Sequence, residues 1–169
     1  CSCSRSVWPR PPGSKAKIAN EIMKYIPARD AYLDLFVGGG SMLVAIASKF
    51  PRATLYANDA DKRIHAFWHY IATSKDVSFL CNTIADFKPT VEAFRTMQDE
   101  QPTCFTALAL NRCAFSGILH ASPIGGENQL SEWDVACRYN PNALIKKVRA
   151  LHRLLNGRLT ASNLDFADA

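Results

Sequence analysis

Three consecutive glycines after a short apolar stretch constrain this chain more than any other feature. Residues 32–36 read Tyr-Leu-Asp-Leu-Phe and predict a buried strand, Gly38, Gly39 and Gly40 follow, and an apolar helix is predicted over 42–50. Because glycine has no Cβ atom, such a turn can adopt positive φ and lets a ligand approach the backbone closely. The helix directs free N–H groups and the positive end of its dipole to the same place. This order of elements predicts the floor of a nucleoside-binding site.

The rest of the chain predicts an α/β fold that contains a helical insertion. A second strand over 54–58 completes a βαβ unit, and helices over 15–26 and 61–73 flank that unit. Helices are then expected over 77–87, 90–99 and 104–115 with no strand among them, followed by a loop over 116–129. A helix over 142–155 and a strand over 159–162 return to the α/β pattern. We therefore predict an irregular proline-rich arm over 1–12, a core made of 13–75 and 140–169, and a helical insertion over 76–139.

The composition excludes several classes of protein. The 169 residues are 48% hydrophobic and 21% charged, as in one soluble globular domain. No apolar run approaches the roughly 18 residues that a membrane span needs, so no membrane partner is expected. The six cysteines form no Cys-x-x-Cys pair and have no histidine at ligand spacing, so no metal site is predicted. Scattered cysteines suit a reducing cytoplasm better than a disulfide framework.

Positive charge is concentrated near the end of the chain. The net charge is +5, and residues 135–164 contain no Asp or Glu. The basic residues of this stretch are Arg138, Lys146, Lys147, Arg149, Arg153 and Arg158. Such a run indicates either a polyanionic partner or simply a solvated helix face.

The residues around the glycine turn favour one cofactor over others. Asp59 follows the second strand and can accept hydrogen bonds from ribose hydroxyls, although it could instead cap the next helix. A dinucleotide turn would read Gly-x-Gly-x-x-Gly, but Leu43 stands where the third glycine belongs. No Gly-Lys-Ser/Thr follows, which excludes a P-loop. S-adenosylmethionine carries no phosphate and needs only close backbone approach and a ribose carboxylate, so it fits best.

Five motifs together resemble those of a known family. They are Pro12-Gly13-Ser14-Lys15, Asp34-Leu35-Phe36-Val37-Gly38-Gly39-Gly40-Ser41, Asn58-Asp59-Ala60-Asp61, Leu110-Asn111-Arg112-Cys113-Ala114-Phe115-Ser116-Gly117 and Asn163-Leu164-Asp165-Phe166. Their order and spacing resemble those of adenine-specific (N6) DNA methyltransferases of the Dam type. The resemblance implies a Rossmann-like methyltransferase core with a mainly helical DNA-recognition insertion. It also implies transfer of a methyl group from S-adenosylmethionine to adenine in double-stranded DNA.

The same resemblance implies roles for individual cofactor-site residues. Lys15 is expected near the methionine carboxylate of the cofactor and Asp59 at its ribose, although Lys15 could be an ordinary surface residue of its helix. Asp165 and Phe166 are expected beside the cofactor's adenine ring. The predicted cofactor site consists of Lys15, Asp34, Gly38, Gly40, Asp59, Asp165 and Phe166.

The segment over 111–117 is the predicted centre of DNA contact. Arg112 is expected to pair with phosphate or with a guanine edge, and Asn111 to read an adenine edge or to cap its own helix. Phe115 is expected in the core rather than as a wedge between bases. The predicted nucleic-acid-binding residues are Asn111, Arg112, Ser116, His120, Lys146 and Lys147.

One family motif does not occur in these residues. The catalytic Asp-Pro-Pro-Tyr is expected after Asp165-Phe166 and beyond Ala169, and no Asp-Pro-Pro or Asn-Pro-Pro is present. We therefore predict no catalytic residue here and interpret the chain as an inactive fragment of a monomeric, cytoplasmic bacterial or phage enzyme. The sequence favours none of three biological contexts over the others: the methyltransferase partner of a restriction enzyme, a solitary enzyme and a phage enzyme. The alternatives are an RNA or small-molecule methyltransferase and a non-catalytic nucleic-acid-binding module.

Overall fold

Three parallel strands form the sheet in the computed structural model, which describes residues 18–169. The strands are β1 (Ala31–Asp34), β2 (Thr54–Asn58) and β3 (Leu159–Ser162), hydrogen-bonded in the order β1-β2-β3. In the register, Leu33 pairs with Tyr56 and Tyr56 pairs with Thr160. The predictions for β2 and β3 are confirmed residue for residue. β1 ends two residues earlier than predicted, because the chain already turns at 35–36 toward the glycines.

Helices occupy most of the remaining chain. They are α1 (Ala19–Tyr25), α2 (Ser41–Lys49), α3 (Lys62–Thr73), α4 (Ser78–Asp86), α5 (Val91–Asp99), α6 (Cys104–Cys113) and α7 (Pro141–Leu155). The helical predictions are confirmed to within two residues at each end, except for the beginning of the first helix. The arm over 1–12 and the predicted helical residues 15–17 lie outside the described residues, and Ile18, which was predicted to be helical, is the N-cap of α1.

Side-chain caps set several helix starts. Asp61, Thr90 and Asn140 each accept a hydrogen bond from a backbone N–H in the first turn of α3, α5 and α7 respectively. A capping residue has non-helical backbone angles, and therefore the helices predicted from 61 and from 90 begin one residue later. Thr103 forms a reciprocal capping box with Thr106 at the start of α6.

One face of the sheet packs against helices and forms the main core. Leu55, Ala57 and Leu159 are buried on this face, where α2 and α3 contact the strands and α7 packs on both helices. Side chains on neighbouring strand positions point to opposite faces. Leu33 and Tyr56 accordingly lie on the other face and are 50% and 44% exposed.

A second, smaller cluster forms between α5, α6 and the loop that follows α6. Its buried members are Phe94, Met97, Ala109, Leu110, Cys113, Ala114, Leu119 and Val135. Leu80 and Ile84 of α4, by contrast, belong to the main core. The observed architecture is a mixed α/β fold with a small parallel sheet, and the domain division at residue 76 stays a prediction. No helix in the described part of the chain is long and apolar enough to cross a membrane.

Candidate cofactor and DNA site

The glycine turn lies between the carboxyl end of β1 and the start of α2. Gly38 has φ of 43° and Gly40 has φ of 64°, a left-handed conformation that favours glycine. The Gly40 N–H donates to the Val37 carbonyl at 2.7 Å, and the Val37 N–H donates to the Asn58 carbonyl at 3.0 Å. The first hydrogen bond closes the turn, and the second connects the turn to the end of β2.

The two glycines have different surroundings in this turn. A Cβ atom on Gly38 would meet nothing nearer than the Phe36 carbonyl oxygen at 4.0 Å. A Cβ atom on Gly40 would lie 2.2 Å from Cζ2 of Trp68. Gly38 therefore leaves open space that a ligand can occupy, whereas Gly40 makes room for a buried indole.

Asp59 holds the turn from the end of the neighbouring strand. One carboxylate oxygen accepts from the Gly38 N–H at 2.8 Å, and the other accepts from the Asp61 N–H at 3.0 Å. The alternative interpretation, that Asp59 caps the next helix, is wrong, because the cap of α3 is Asp61. Each carboxylate oxygen has a second lone pair, so Asp59 can still accept from a ligand hydroxyl.

Buried Asn58 brings the last described segment to the same edge of the sheet. Its side-chain oxygen accepts from the Ser162 hydroxyl at 2.8 Å and the Leu164 N–H at 3.0 Å. Its amide also donates to the Leu164 carbonyl at 3.0 Å. Phe166 consequently lies against Phe36, with ring centroids 5.9 Å apart, and both rings are about 60% exposed. The sequence motif Asn58-Asp59-Ala60-Asp61 contains Asn58 but does not predict that its side chain connects the end of β2 to residues 162–164.

The remaining predicted cofactor residues have the following positions. Asp34 is the last residue of β1, directly before the turn toward the glycines. Asp165 is exposed, and its carboxylate accepts from the Ala167 N–H at 3.0 Å. Lys15 lies outside the described residues. The structure thus brings Asp34, Gly38 and Asp59 together with the segment that carries Asp165 and Phe166.

The segment after Phe166 continues to Ala169, which is exposed and follows a short turn over 166–168. The Asp168 N–H donates to the Asp165 carbonyl at 3.0 Å within this turn. The catalytic motif was expected beyond Ala169, so no described residue tests that expectation. Its position stays a prediction.

The chain after α6 forms a short hairpin-like loop. The Phe115 N–H donates to the Ser122 carbonyl at 2.8 Å, and the Ile124 N–H donates to the Cys113 carbonyl at 2.8 Å. Phe115, expected in the core, is instead 63% exposed, and this expectation was wrong. Ser116 beside it is exposed and has φ of 54°, a strained angle for a residue other than glycine. An exposed aromatic ring and a hydroxyl thus lie at the beginning of this loop, which we call the 115–121 loop.

Asn111 lies beneath this loop rather than on the surface. It is 1% exposed, and its amide donates to the Gly117 carbonyl at 2.8 Å. In this conformation the amide faces the protein interior. It supports the 115–121 loop and does not reach a surface ligand.

Three basic residues from three segments form a cluster beside the loop, which we call the basic cluster: Arg112, Arg138 and Lys147. Burial, together with the nearby charge of Arg138, lowers the pKa of Arg112 to about 10. Burial and then the charge of Arg112 lower the pKa of Lys147. Within residues 18–169, neither Arg112 nor Arg138 forms an ion pair, and the Nε atom of each has no hydrogen-bond partner. Arg112 and Arg138 are thus two positive charges with no carboxylate partner among the described residues, an arrangement that is suited to an anionic ligand.

The other predicted basic residues lie on α7. Lys146 is exposed, as are Arg149 and Arg153 on the same helix. α7 thus contributes Lys147 to the basic cluster and exposed charges near it in sequence. Arg138, which precedes α7, donates from its guanidinium to the Ala114 carbonyl at the base of the loop.

Contacts from α5 and α3 hold the 115–121 loop in place. The Gln98 amide donates to the carbonyls of Leu119 at 3.2 Å and Ala121 at 2.9 Å. Between them in sequence, His120 places Nε2 3.8 Å from the Asp61 carboxylate. Asp61 in turn contacts Asp59 through its N–H, so a chain of contacts runs from the loop to the glycine turn.

A comparison with models of known protein families found a match that covers most of the chain. The model of D12 class N6 adenine-specific DNA methyltransferases matches residues 12–132. The chain belongs to this family. The resemblance found in the sequence is thereby confirmed, while no curated protein matched the chain.

The matched residues of this D12 class methyltransferase include the glycine turn, Asp59 and the 115–121 loop. They end before α7 and before Asp165, so the family match does not cover the predicted roles of Lys146, Lys147, Asp165 and Phe166. No group of three or more potential metal ligands occurs among the described residues.

Proposed function

We propose that this chain binds S-adenosylmethionine at the carboxyl edge of its sheet and duplex DNA across the 115–121 loop. The proposed activity of the enzyme is methylation of the N6 atom of adenine at a specific DNA site, on a Rossmann-like core. The observation that carries the proposal is the open space at Gly38 beside Asp59, a partly exposed residue whose carboxylate accepts from the Gly38 N–H.

The site residues suit this cofactor in shape and chemistry. Open space at Gly38 permits backbone approach, and Asp59 has lone pairs for ribose hydroxyls. The exposed rings of Phe36 and Phe166 offer apolar faces to an adenine ring. Leu43 is 2% exposed and packs in the core, where a dinucleotide turn would need a third glycine. Lys15 is proposed for the methionine carboxylate.

When bound, S-adenosylmethionine supplies an electrophilic methyl group on its sulfonium. In this proposal the residues described here hold and orient that donor. The transfer itself requires groups that accept hydrogen bonds from the adenine amino group, which frees its lone pair for attack. The family's Asp-Pro-Pro-Tyr provides those groups and does not occur in these 169 residues. We therefore propose that the chain as given binds its ligands without methylating DNA.

The DNA side of the proposal rests on the basic cluster and the 115–121 loop. Arg112, Arg138 and Lys147 are proposed to neutralise backbone phosphates, and the exposed charges of α7 to add salt-dependent attraction. An enzyme that acts on adenine must extract the base from the duplex at a cost of a few kcal/mol. Phe115 and Ser116 are exposed, and we propose that they contact the DNA during that extraction.

Calorimetric titration with S-adenosylhomocysteine tests the cofactor site. The wild-type chain is expected to bind it and to give no signal with NAD. Asp59→Ala is expected to raise the Kd by about tenfold or more, because it removes hydrogen bonds to a charged group. Asp86→Ala, an exposed substitution at the end of α4, is the matched control and should leave the Kd unchanged. A wild-type chain that binds no S-adenosylhomocysteine would overturn the proposal.

A further inference from the structure

Trp68 on α3 makes two independent contacts with the glycine turn. Its indole N–H donates to the Gly38 carbonyl at 2.9 Å, and its six-membered ring fills the space above Gly40. The side chain is 1% exposed, so this hydrogen bond is shielded from water.

Gly38 therefore has both of its backbone polar groups engaged. Asp59 accepts from its N–H at 2.8 Å, and Trp68 donates to its carbonyl at 2.9 Å. Glycine has a wider range of accessible backbone conformations than other residues, and a turn with three of them needs outside contacts to keep one geometry. These two hydrogen bonds come from two elements, the end of β2 and the middle of α3.

We infer that Trp68 is a positioning residue for the cofactor site, which holds the Gly38 peptide in the orientation that binds the methyl donor. Because the side chain is 1% exposed and packs in the core against Gly38 and Gly40, it contacts the turn rather than the ligand. Pre-organised binding groups increase affinity, because the protein loses less freedom when the ligand binds. The inference rests on the proposed cofactor site.

A mere core role and a positioning role make different demands on the side chain. Packing needs an apolar ring, which phenylalanine supplies with some loss of volume. Positioning needs the N–H donor, which phenylalanine lacks. Phe67, its neighbour on α3, is also 1% exposed and packs edge-on against Trp68 with ring centroids 5.1 Å apart. Truncation of Phe67 thus disturbs the same core and leaves the Gly38 hydrogen bond in place.

The test compares Trp68→Phe with the matched control Phe67→Leu in the 169-residue chain. Calorimetry with S-adenosylhomocysteine measures the Kd, thermal unfolding measures stability, and hydrogen–deuterium exchange follows the peptide over 36–41 without ligand. Trp68→Phe is expected to raise the Kd by about fivefold, as for loss of one neutral hydrogen bond, and to speed exchange in the turn. Phe67→Leu is expected to lower the Tm with the Kd and the turn's exchange unchanged.

The possible results separate this inference from the proposed function. A Trp68→Phe chain with wild-type Kd and wild-type exchange would overturn the positioning role. So would equal losses of affinity in both variants, because affinity would then follow core stability alone. A third result would be faster exchange in Trp68→Phe alone, combined with a wild-type chain that binds no S-adenosylhomocysteine. It would show that Trp68 fixes the turn. It would also overturn both the proposed cofactor and the inference that Trp68 positions the turn for that cofactor.

Discussion

At the scale of single residues, Gly40 and Gly38 differ in what surrounds them. Gly40→Ala is expected to lower the free energy of unfolding by about 3 kcal/mol. An alanine is strained at a left-handed φ, and its Cβ atom would also overlap with the Trp68 ring. Gly38→Ala is expected to cost only about 1 kcal/mol, because the space at its Cβ is open. Urea denaturation measures both values.

A double variant provides the control for the Gly40 argument. Trp68→Phe removes the ring that carries Cζ2, so the Cβ atom of Gly40→Ala would gain room. The double variant is therefore expected to lose less stability than the sum of the two single variants. Additive losses would show that the indole does not determine the need for glycine at position 40.

The amino-acid sequence identified the glycines but not this division of roles. A glycine triplet after a strand predicts a turn with close approach, and that local inference needs only neighbouring residues. The donor to the Gly38 carbonyl is Trp68, which is 30 residues further along the chain. Which side chain fills the space above a given glycine depends on how α3 packs, and no periodicity in the sequence specifies that contact.

At the scale of elements, hydrophobic periodicity predicted most bounds of the helices and strands to within two residues. The helix that was predicted to run through residue 115 instead ends at Cys113. Residues 114 and 115 continue an apolar helical pattern, so the sequence predicted helix there and a buried Phe115. In the structure Ala114 instead pairs with Pro123 in an isolated bridge. Tertiary pairing overrides local helix propensity at this point, as it often does at element ends.

The 115–121 loop depends on α5 for its position, and Gln98 makes the contact. Gln98→Ala is expected to speed hydrogen–deuterium exchange over 117–122 by several-fold, because two backbone carbonyls lose their donor. It should also weaken duplex DNA binding, measured by fluorescence anisotropy, if the loop contacts DNA. Gln101→Ala, an exposed change beyond the end of α5, is the control and should alter neither quantity. Unchanged exchange in Gln98→Ala would show that the loop keeps its conformation without this residue.

At the scale of the whole molecule, the sequence located the positive charge only in part. The run of basic residues on α7 can be counted in the sequence, and Lys146 and Lys147 were predicted to bind nucleic acid. The basic cluster instead joins Arg112 at the end of α6, Arg138 and Lys147 of α7. These three residues meet because α6 and α7 both pack against α3, an arrangement that follows from the fold and not from spacing.

The substitution Arg112→Met tests whether the basic cluster contributes to DNA binding or to the stability of the fold. Methionine keeps an unbranched apolar stem but removes a partly buried charge that burial and Arg138 both disfavour. The free energy of unfolding is therefore expected to stay the same or to rise, because no ion pair within the described residues is lost.

Duplex DNA binding is expected to fall by about tenfold in Arg112→Met, with a smaller slope of log affinity against log salt, because a phosphate contact is lost. Arg52→Met, an exposed change between α2 and β2, is the control and should change neither affinity nor slope. A variant that loses stability yet keeps its DNA affinity would assign Arg112 to the fold. A stable variant that loses affinity would mean that the fold tolerates an unfavourable concentration of positive charge because the DNA backbone neutralises it.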